Sequence, residues 1–461
     1  MAESLITPDG PTLLDGVSVL ELDNLDVFGY NAANSYIIPE LIDVSRFHAA
    51  LAKTLTFFPL YAARVSCAEN GGVPWKLTLP PQGMPVTVSE SDEAEIVPIE
   101  AIVQRPLRFL PPLNPRKIVL DPTTPLAAIL LTKFPRLGVT SIGITRWHPL
   151  GSDYVASRFI RALSRSYQGV SIDEPTPVYK AARTYLLAPD RTCLEGIDTF
   201  ALETYYPASA IHPQLDPSHP PNVRLDFRLS AIQMQQLRTA IHALGGPNAD
   251  FVTPQDCLVA LVATATNAAD PSNPQIHTID TILDVRGVGE IPAELSFNGF
   301  IFAPTDRIAP THANDYYAYA AGVRKSIMRA REPHFLAALA DLQAERAASA
   351  TEHGEIMDLA SPPGHMVCNS TLRLDKMMRR DIHFGHPGKT RSYVGTVPFV
   401  RHLKLARPNP LVSADGSSWT DRLDVTEVTL YFKPPVRERF IEEINERVRA
   451  LKVEGTVEWI N

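Results

Sequence analysis

The spacing of apolar residues in the first third of the chain alternates between a helical and a strand period. Apolar residues recur every four positions in two segments, which predicts a helix from Val44 to about Phe57 and another from near Asp153 to Gly169. The runs at 125–134 and 138–147 are apolar or alternating and meet at a PRLG turn. That pattern is typical of a hairpin of buried strands.

The second half also mixes strands and helices. LDFRLS precedes a helix with the capping pattern of Ser230 and Gln233, and Thr253 with Pro254 marks the start of another. Further helices are predicted at about 315–331 and near the C-terminus. Proline and histidine accumulate between these halves, as in a crossover. We therefore predict an α/β protein with an N-terminal domain (1–180), a crossover linker (181–223) and a C-terminal domain (224–461).

Composition narrows the classes of partner. With 461 residues the chain exceeds what one hydrophobic core usually serves, and its net charge of −8 disfavours a broad nucleic-acid surface. The four cysteines are far apart, which favours a reduced, cytoplasmic protein. No signal-length or membrane-length apolar stretch is found, so we expect no membrane partner. The sequon at Asn369 is then expected to be accidental.

Several familiar catalytic and binding motifs are missing from the sequence. It has no GxSxG elbow, and the GKT at 388–390 has His383 where a phosphate loop needs its first glycine. RGVGEIP lacks the third glycine of a dinucleotide loop. His383 and His386 lie three positions apart without a nearby pair of carboxylates, so no metal site is predicted.

His148 is the strongest candidate for chemistry. It ends an apolar run and is followed by Pro149 and Gly151, which prevent direct continuation as a helix. A neutral imidazole there could accept a proton from an alcohol or amine that attacks a carbonyl group. The alternative is a structural histidine whose ring is satisfied within the core, and the local sequence leaves both interpretations open.

Four segments in order resemble the BAHD acyltransferase family. The region of His148 resembles that around its HxxxD motif, and FFPLYAARV resembles its yPlAGRl segment. ILDVRGVGEIPAELSFNGF is similar to its DVRxRxxPplPxxyfGN stretch, with Asn298 and Gly299 transposed. DIHFGHPGKTRSYVG stands in the place of DFGWG. The likeness spans nearly the whole chain.

The resemblance implies a two-domain, CoA-dependent acyltransferase-like fold with mixed sheets and an interdomain channel. Acyl-CoA would be a co-substrate entering from one face, a small-molecule acceptor would enter from the other, and His148 would deprotonate it. No bound cofactor and no covalent acyl-enzyme would be involved. A monomer acting in fungal secondary metabolism would be expected.

Two motifs depart from the family pattern. Ser152 occupies the place of the HxxxD aspartate, and Asp153 follows one position later. In the family this aspartate pairs with the arginine of DVR, so Asp153 is expected to reach Arg286. In the second motif the aspartate is replaced by His383 or displaced to Asp381, and His386 replaces the tryptophan. The candidates to line the substrate site are Trp147, His365, His383, His386 and Tyr393.

Three functions are therefore compatible with the sequence. The first is O- or N-acyl transfer from acyl-CoA with His148 as general base. The second keeps the fold but acts without CoA, as a cyclase, dehydratase or isomerase of one bound substrate. The third is a non-catalytic partner protein with the same fold.

Overall fold

The computed structural model describes most of the chain. The described residues are 2–26, 30–66, 75–79, 82–92, 109–114, 117–118, 121–199, 205–207, 221–357, 360–395, 398–413 and 418–460.

The described strands are numbered in chain order. They are β1 (Ala2–Ile6), β2 (Val19–Glu21), β3 (Asn31–Ile38), β4 (Arg64–Ser66), β5 (Lys76–Thr78), β6 (Met84–Glu90), β7 (Ala127–Phe134), β8 (Val139–Trp147), β9 (Tyr205–Pro207), β10 (Val223–Ser230), β11 (Thr278–Asp284), β12 (Phe300–Pro304), β13 (Glu355–Met357), β14 (His365–Ser370), β15 (Arg391–Val394), β16 (His402–Ala406), β17 (Leu411–Val412), β18 (Trp419–Thr420), β19 (Val425–Phe432) and β20 (Glu458–Trp459). The α-helices among the described residues are α1 (Val44–Phe57), α2 (Asp153–Tyr167), α3 (Ala231–Leu244), α4 (Pro254–Ala269), α5 (Tyr316–Arg329), α6 (Pro333–Glu352) and α7 (Pro434–Ala450).

Two mixed sheets form the framework. The first has six strands in the order β1-β6-β7-β8-β3-β15, and the second has seven in the order β12-β11-β14-β16-β19-β10-β20. In the first sheet β7 and β8 form the predicted antiparallel hairpin. In the second, β11, β14 and β16 run parallel to one another. Each sheet has its own hydrophobic core.

The helices begin where the sequence places their caps. Asp43 accepts a hydrogen bond from the backbone N–H of Arg46 and starts α1. Ser230 and Thr253 form capping boxes at α3 and α4. Helix α6 was not predicted, because it is rich in alanine and buries most of its surface, which removes a clear apolar stripe.

The C-terminal half of the chain returns to the first sheet. Strand β15 pairs antiparallel with β3, and the preceding residues Ile382 and Phe384 are buried in the core of the first sheet. The segment in the place of DFGWG is therefore built into the first sheet's side of the molecule. The domain limits at 180 and 223 stay a prediction.

No helix in the described ranges combines the length and the apolar character that a bilayer span requires.

Candidate active site

A cavity of about 940 Å³ lies between the two sheets. The first sheet contributes the residues 31–33 of β3 and Thr145 of β8 to its wall. Alternate residues of four strands of the second sheet face it. These are Ile282, Asp284, Phe300, Phe302, Asn369, His402 and Lys404, with Ser370 beside them. A cleft of this size between two sheets can hold a small organic molecule.

His148 stands in the wall of this cavity. It follows β8 directly and opens a single turn of 3-10 helix, His148–Leu150, while its backbone N–H donates to the carbonyl of Tyr30 at 2.9 Å. Gly151 then adopts φ 118°, a conformation that other residues rarely reach. The edge of the His148 ring meets Phe300 of the second sheet, with 5.6 Å between the ring centroids. The strand end and the glycine turn therefore fix the imidazole between the two halves.

The surroundings of His148 favour its neutral form. Removal from water, and then the nearby Arg146 guanidinium, lower the pKa of His148 to about 4. The Asp153 carboxylate and the neighbouring Asn298 side chain act in the opposite direction but are weaker. At neutral pH the imidazole is consequently uncharged and available as a proton acceptor.

Asp153 also lines the cavity, but its partner differs from the predicted one. Its Oδ1 accepts a hydrogen bond from Arg146 Nη2 at 2.9 Å, and its Oδ2 lies 3.7 Å from Lys404 Nζ. Burial alone would raise the pKa of Asp153, but Lys404 and Arg146 hold it below the usual value. The predicted pairing with Arg286 is wrong, because the carboxylate at the helix start turns toward Arg146 instead.

Arg286 still clamps the histidine loop, through Ser152. Its Nη1 donates to Ser152 Oγ at 3.3 Å and to Asp284 Oδ2 at 3.0 Å. Its other donors hold the carbonyl groups of Leu295 and Phe297. The hydroxyl of Ser152, at the position of the family's aspartate, thus keeps the contact with Arg286 but cannot form the family's ion pair.

Trp147 and Tyr393 lie next to the cavity without lining it, within the described part of the chain. Trp147 is fully buried and stacks on Trp75 in the first core, with 4.9 Å between centroids. Tyr393 pairs with Ser35 and packs on a small apolar cluster, whereas the next two residues of the chain, Val394 and Gly395, line the cavity. Their predicted role in binding substrate is not supported by these positions.

His383 and His386 are also outside the cavity, as far as the described residues show. His383 borders a separate cavity of about 300 Å³ together with Arg161, Arg165 and Asp381. His386 Nε2 lies 3.0 Å from the carboxylate of Glu40. Their roles in binding substrate stay predictions, which these positions outside the main cavity do not support.

His365 lies at the end of β14 that is remote from the cavity. It begins β14, whereas Asn369 and Ser370 at the other end of that strand line the cavity. Its Nδ1 lies 2.8 Å from Asp280 Oδ2, and its side chain is buried. Its role in lining the acceptor pocket stays a prediction, which this position does not support.

The polar face of the second sheet was not predicted from the sequence. Lys404 is buried in the cavity wall, where loss of water lowers the pKa of its amine although Asp153 acts against this. Asn369, the first residue of the apparent glycosylation sequon, lies 3.5 Å from Lys404 through its Oδ1. The only sequence signal for this face is a lysine and a histidine at alternating positions of the strand HLKLA.

Comparison with solved structures places this architecture among known folds. TRI101 of F. sporotrichioides, in a crystal structure with Coenzyme A and T-2, aligns with a TM-score of 0.67 and 15% identity over 96% of this chain and 100% of that chain. TRI101 of F. graminearum, complexed with ethyl Coenzyme A, gives 0.68 and 15% over 96% and 99%. Vinorine synthase gives 0.62 and 16% over 95% of each chain. No family model and no curated protein matches the sequence.

These structures confirm the predicted fold. The chain has the two-domain fold of the BAHD acyltransferases TRI101 and vinorine synthase, with mixed sheets and a cavity between them.

Proposed function

We propose that this protein is an acyl-CoA-dependent O- or N-acyltransferase in which His148 is the general base. The observation that carries the proposal is the position of His148 in the wall of the cavity between the two sheets, where burial lowers the pKa of its imidazole. The solved structures of the same fold that contain Coenzyme A support the choice of co-substrate.

In this reaction an imidazole nitrogen of His148 first accepts a proton and later returns it. As the acceptor's oxygen or nitrogen attacks the thioester carbonyl carbon, the imidazole takes its proton. The tetrahedral intermediate then collapses, the carbon–sulfur bond breaks, and the imidazolium returns the proton to the departing thiolate. Acceptor and acyl group leave as an ester or amide, and Coenzyme A leaves as the free thiol.

The oxyanion of that intermediate needs a donor within the cavity. Lys404 fits this role best, because its ammonium is buried in the wall and its two contacts, with Asp153 and Asn369, are both longer than 3.4 Å. Donor capacity is therefore left for a substrate oxygen. The nearby Asp153 carboxylate opposes the effect of burial, which lowers the pKa of the Lys404 amine.

Acyl transfer is tested by incubating the protein with acetyl-CoA and a panel of small alcohols and amines while free thiol is measured. We expect thiol release that depends on the acceptor, with an acylated product identified by mass spectrometry. Conversion of a panel compound in the absence of CoA would instead support a repurposed enzyme of the same fold. Acceptor-independent thiol release, or none with any acceptor and with no binding of CoA by calorimetry, would contradict the proposal.

The pH dependence of acyl transfer follows from the lowered pKa of His148. The base must be neutral to accept a proton, so the rate is expected to fall only as pH drops toward about 4. At about pH 5.5 the protein should keep most of its rate, whereas an imidazole with the ordinary pKa of about 6.5 would lose roughly tenfold. The measurement is kcat/KM against pH, with circular dichroism to confirm folding. An acid limb near 6.5 would contradict this assignment.

The remaining expectations extend the same proposal. We propose a cytoplasmic monomer of fungal secondary metabolism, with domain limits near 180 and 223. Support comes from three free cysteines among the described residues, as in reduced compartments, and from the fungal TRI101 structures. Light scattering on the purified protein tests the oligomeric state.

A further inference from the structure

Three ligand-type side chains meet at the end of the second sheet that is remote from His148. His365 begins β14, His277 precedes the paired strand β11, and Asp198 comes from the segment that crosses between the halves. The cavity lies at the opposite ends of these two strands, near Asp284 and Ser370. This cluster is therefore separate from the proposed active site.

The distances between the ligand atoms suit one small cation. One ligand atom from each residue lies within 4.8 Å of the other two. His365 Nε2 is 3.5 Å and His277 Nδ1 is 3.7 Å from Asp198 Oδ2. Ligands bound at about 2.0–2.1 Å around a tetrahedral zinc ion lie about 3.3 Å apart. The two histidine–carboxylate distances exceed that spacing by about 0.4 Å or less, and the two ring nitrogens lie within 4.8 Å of each other.

A second carboxylate orients the buried histidine. Asp280 Oδ2 lies 2.8 Å from His365 Nδ1, and both side chains are almost fully buried. Metal-bound histidines usually donate their other ring N–H to a carboxylate, which fixes the ring and the tautomer. With its proton on Nδ1, His365 presents the lone pair of Nε2 toward Asp198.

The backbone at Gly364 determines which nitrogen of His277 is available. A Cβ at this glycine would lie 2.2 Å from His277 Nε2, so the ring packs directly on the peptide backbone. Nδ1 therefore faces Asp198 and also lies 3.0 Å from the hydroxyl of Thr278. That hydroxyl is 3.2 Å from Asp198 Oδ2 and can donate to it while His277 binds a cation.

Charged side chains of both signs surround the cluster. Arg307 and Arg401 are basic neighbours of His277, while Asp198 and Asp280 supply the carboxyl groups. Two imidazole nitrogens and one carboxylate form a donor set for zinc rather than for calcium or magnesium, which prefer oxygen ligands.

We propose that Asp198, His277 and His365 form a structural site for Zn²⁺ that fastens the crossover segment to the start of β11 and β14. A water molecule would complete the tetrahedron. Because the ligands come from three separate stretches of chain, binding would stabilise the folded state by mass action.

The test is Co²⁺ and Zn²⁺ titration of the full-length protein after treatment with EDTA. We expect one equivalent of Co²⁺ to give the strong visible absorption of a tetrahedral site, and one equivalent of Zn²⁺ to displace it and raise Tm. His277→Gln and Asp198→Asn should each weaken Co²⁺ binding at least about tenfold, since even outer contacts of metal sites contribute that much. Acceptor-dependent thiol release should persist in both variants, so this test is independent of the proposed function.

His312→Gln is the matched control. His312 and Asp315 form an exposed pair of the same residue types with 3.1 Å between Nδ1 and Oδ2, and their loss should leave Co²⁺ binding unchanged. Equal Co²⁺ affinity in the wild type and in the two cluster variants would overturn the proposal. If a variant does not fold, the wild-type spectrum decides, because the lack of a tetrahedral band at one equivalent also overturns it.

Discussion

Replacing His148 with alanine is expected to lower acceptor-dependent thiol release by roughly 10² to 10⁴ with little change in the KM for acyl-CoA. The imidazole takes part in proton transfer in the transition state and does not contribute to ground-state binding. The loss should therefore appear in kcat. Folding should survive, because the ring stands in the cavity wall and the backbone N–H of residue 148 keeps its bond to Tyr30. Steady-state thiol release measures the effect.

The matched control for this prediction is His383→Ala. His383 is a partly buried histidine of the segment in the DFGWG position, but it borders the smaller, separate cavity. We expect its replacement to leave kcat within about threefold of the wild type. Thiol release at the same rate in His148→Ala and wild type would exclude the imidazole as the base, and acyl transfer would then need another proton acceptor in the cavity.

The elements next to His148 were predictable because local rules specify them. The paired apolar runs of β7 and β8 have a short turn between them, and Pro149 with Gly151 prevents the strand from passing directly into a helix. The structure places β8 and α2 as expected, with Gly151 at positive φ between them. The position of His148 therefore follows from the local sequence, from the hairpin before it to the start of α2 after it.

The other walls of the cavity were not predictable in this way. Lys404, Asn369 and Asp284 come from three strands distant in sequence, and only the pairing order of the second sheet brings them together. The alternation of side chains along each strand predicts which residues share a face of the sheet, but not what that face packs against. The position of His365 was not predictable for the same reason, since His365 and Asn369 share one strand but lie towards its opposite ends.

The partner of Asp153 could not be predicted from the sequence either. At the start of a helix, a shift of one residue turns a side chain by about 100° around the axis. Ser152 therefore faces Arg286, and Asp153 faces Arg146 and Lys404. A family pattern can predict that this loop is clamped, but not which of two adjacent residues makes each contact.

Asp153→Asn is accordingly expected to destabilise the protein through Arg146. The Arg146 side chain is fully buried and would lose its carboxylate partner, and a broken buried pair typically costs about 3–5 kcal/mol. Because about a fifth of the Asp153 side chain is exposed (21%), a loss of about 2–3 kcal/mol in the free energy of unfolding is expected. Urea denaturation measures it.

A double-mutant cycle separates the two possible partners of Asp153. Asp153→Asn combined with Arg146→Met should be less destabilising than the sum of the single changes, because removing the arginine also removes the unpaired buried charge. Combined with Arg286→Gln, the same change should be nearly additive, since Arg286 donates to Ser152 and Asp284. Strong coupling of Asp153 with Arg286 and none with Arg146 would instead support the aspartate–arginine pair of the family pattern. It would also mean that Asp153 turns away from Lys404, so the cavity would lose the carboxylate that opposes the effect of burial on the pKa of this lysine.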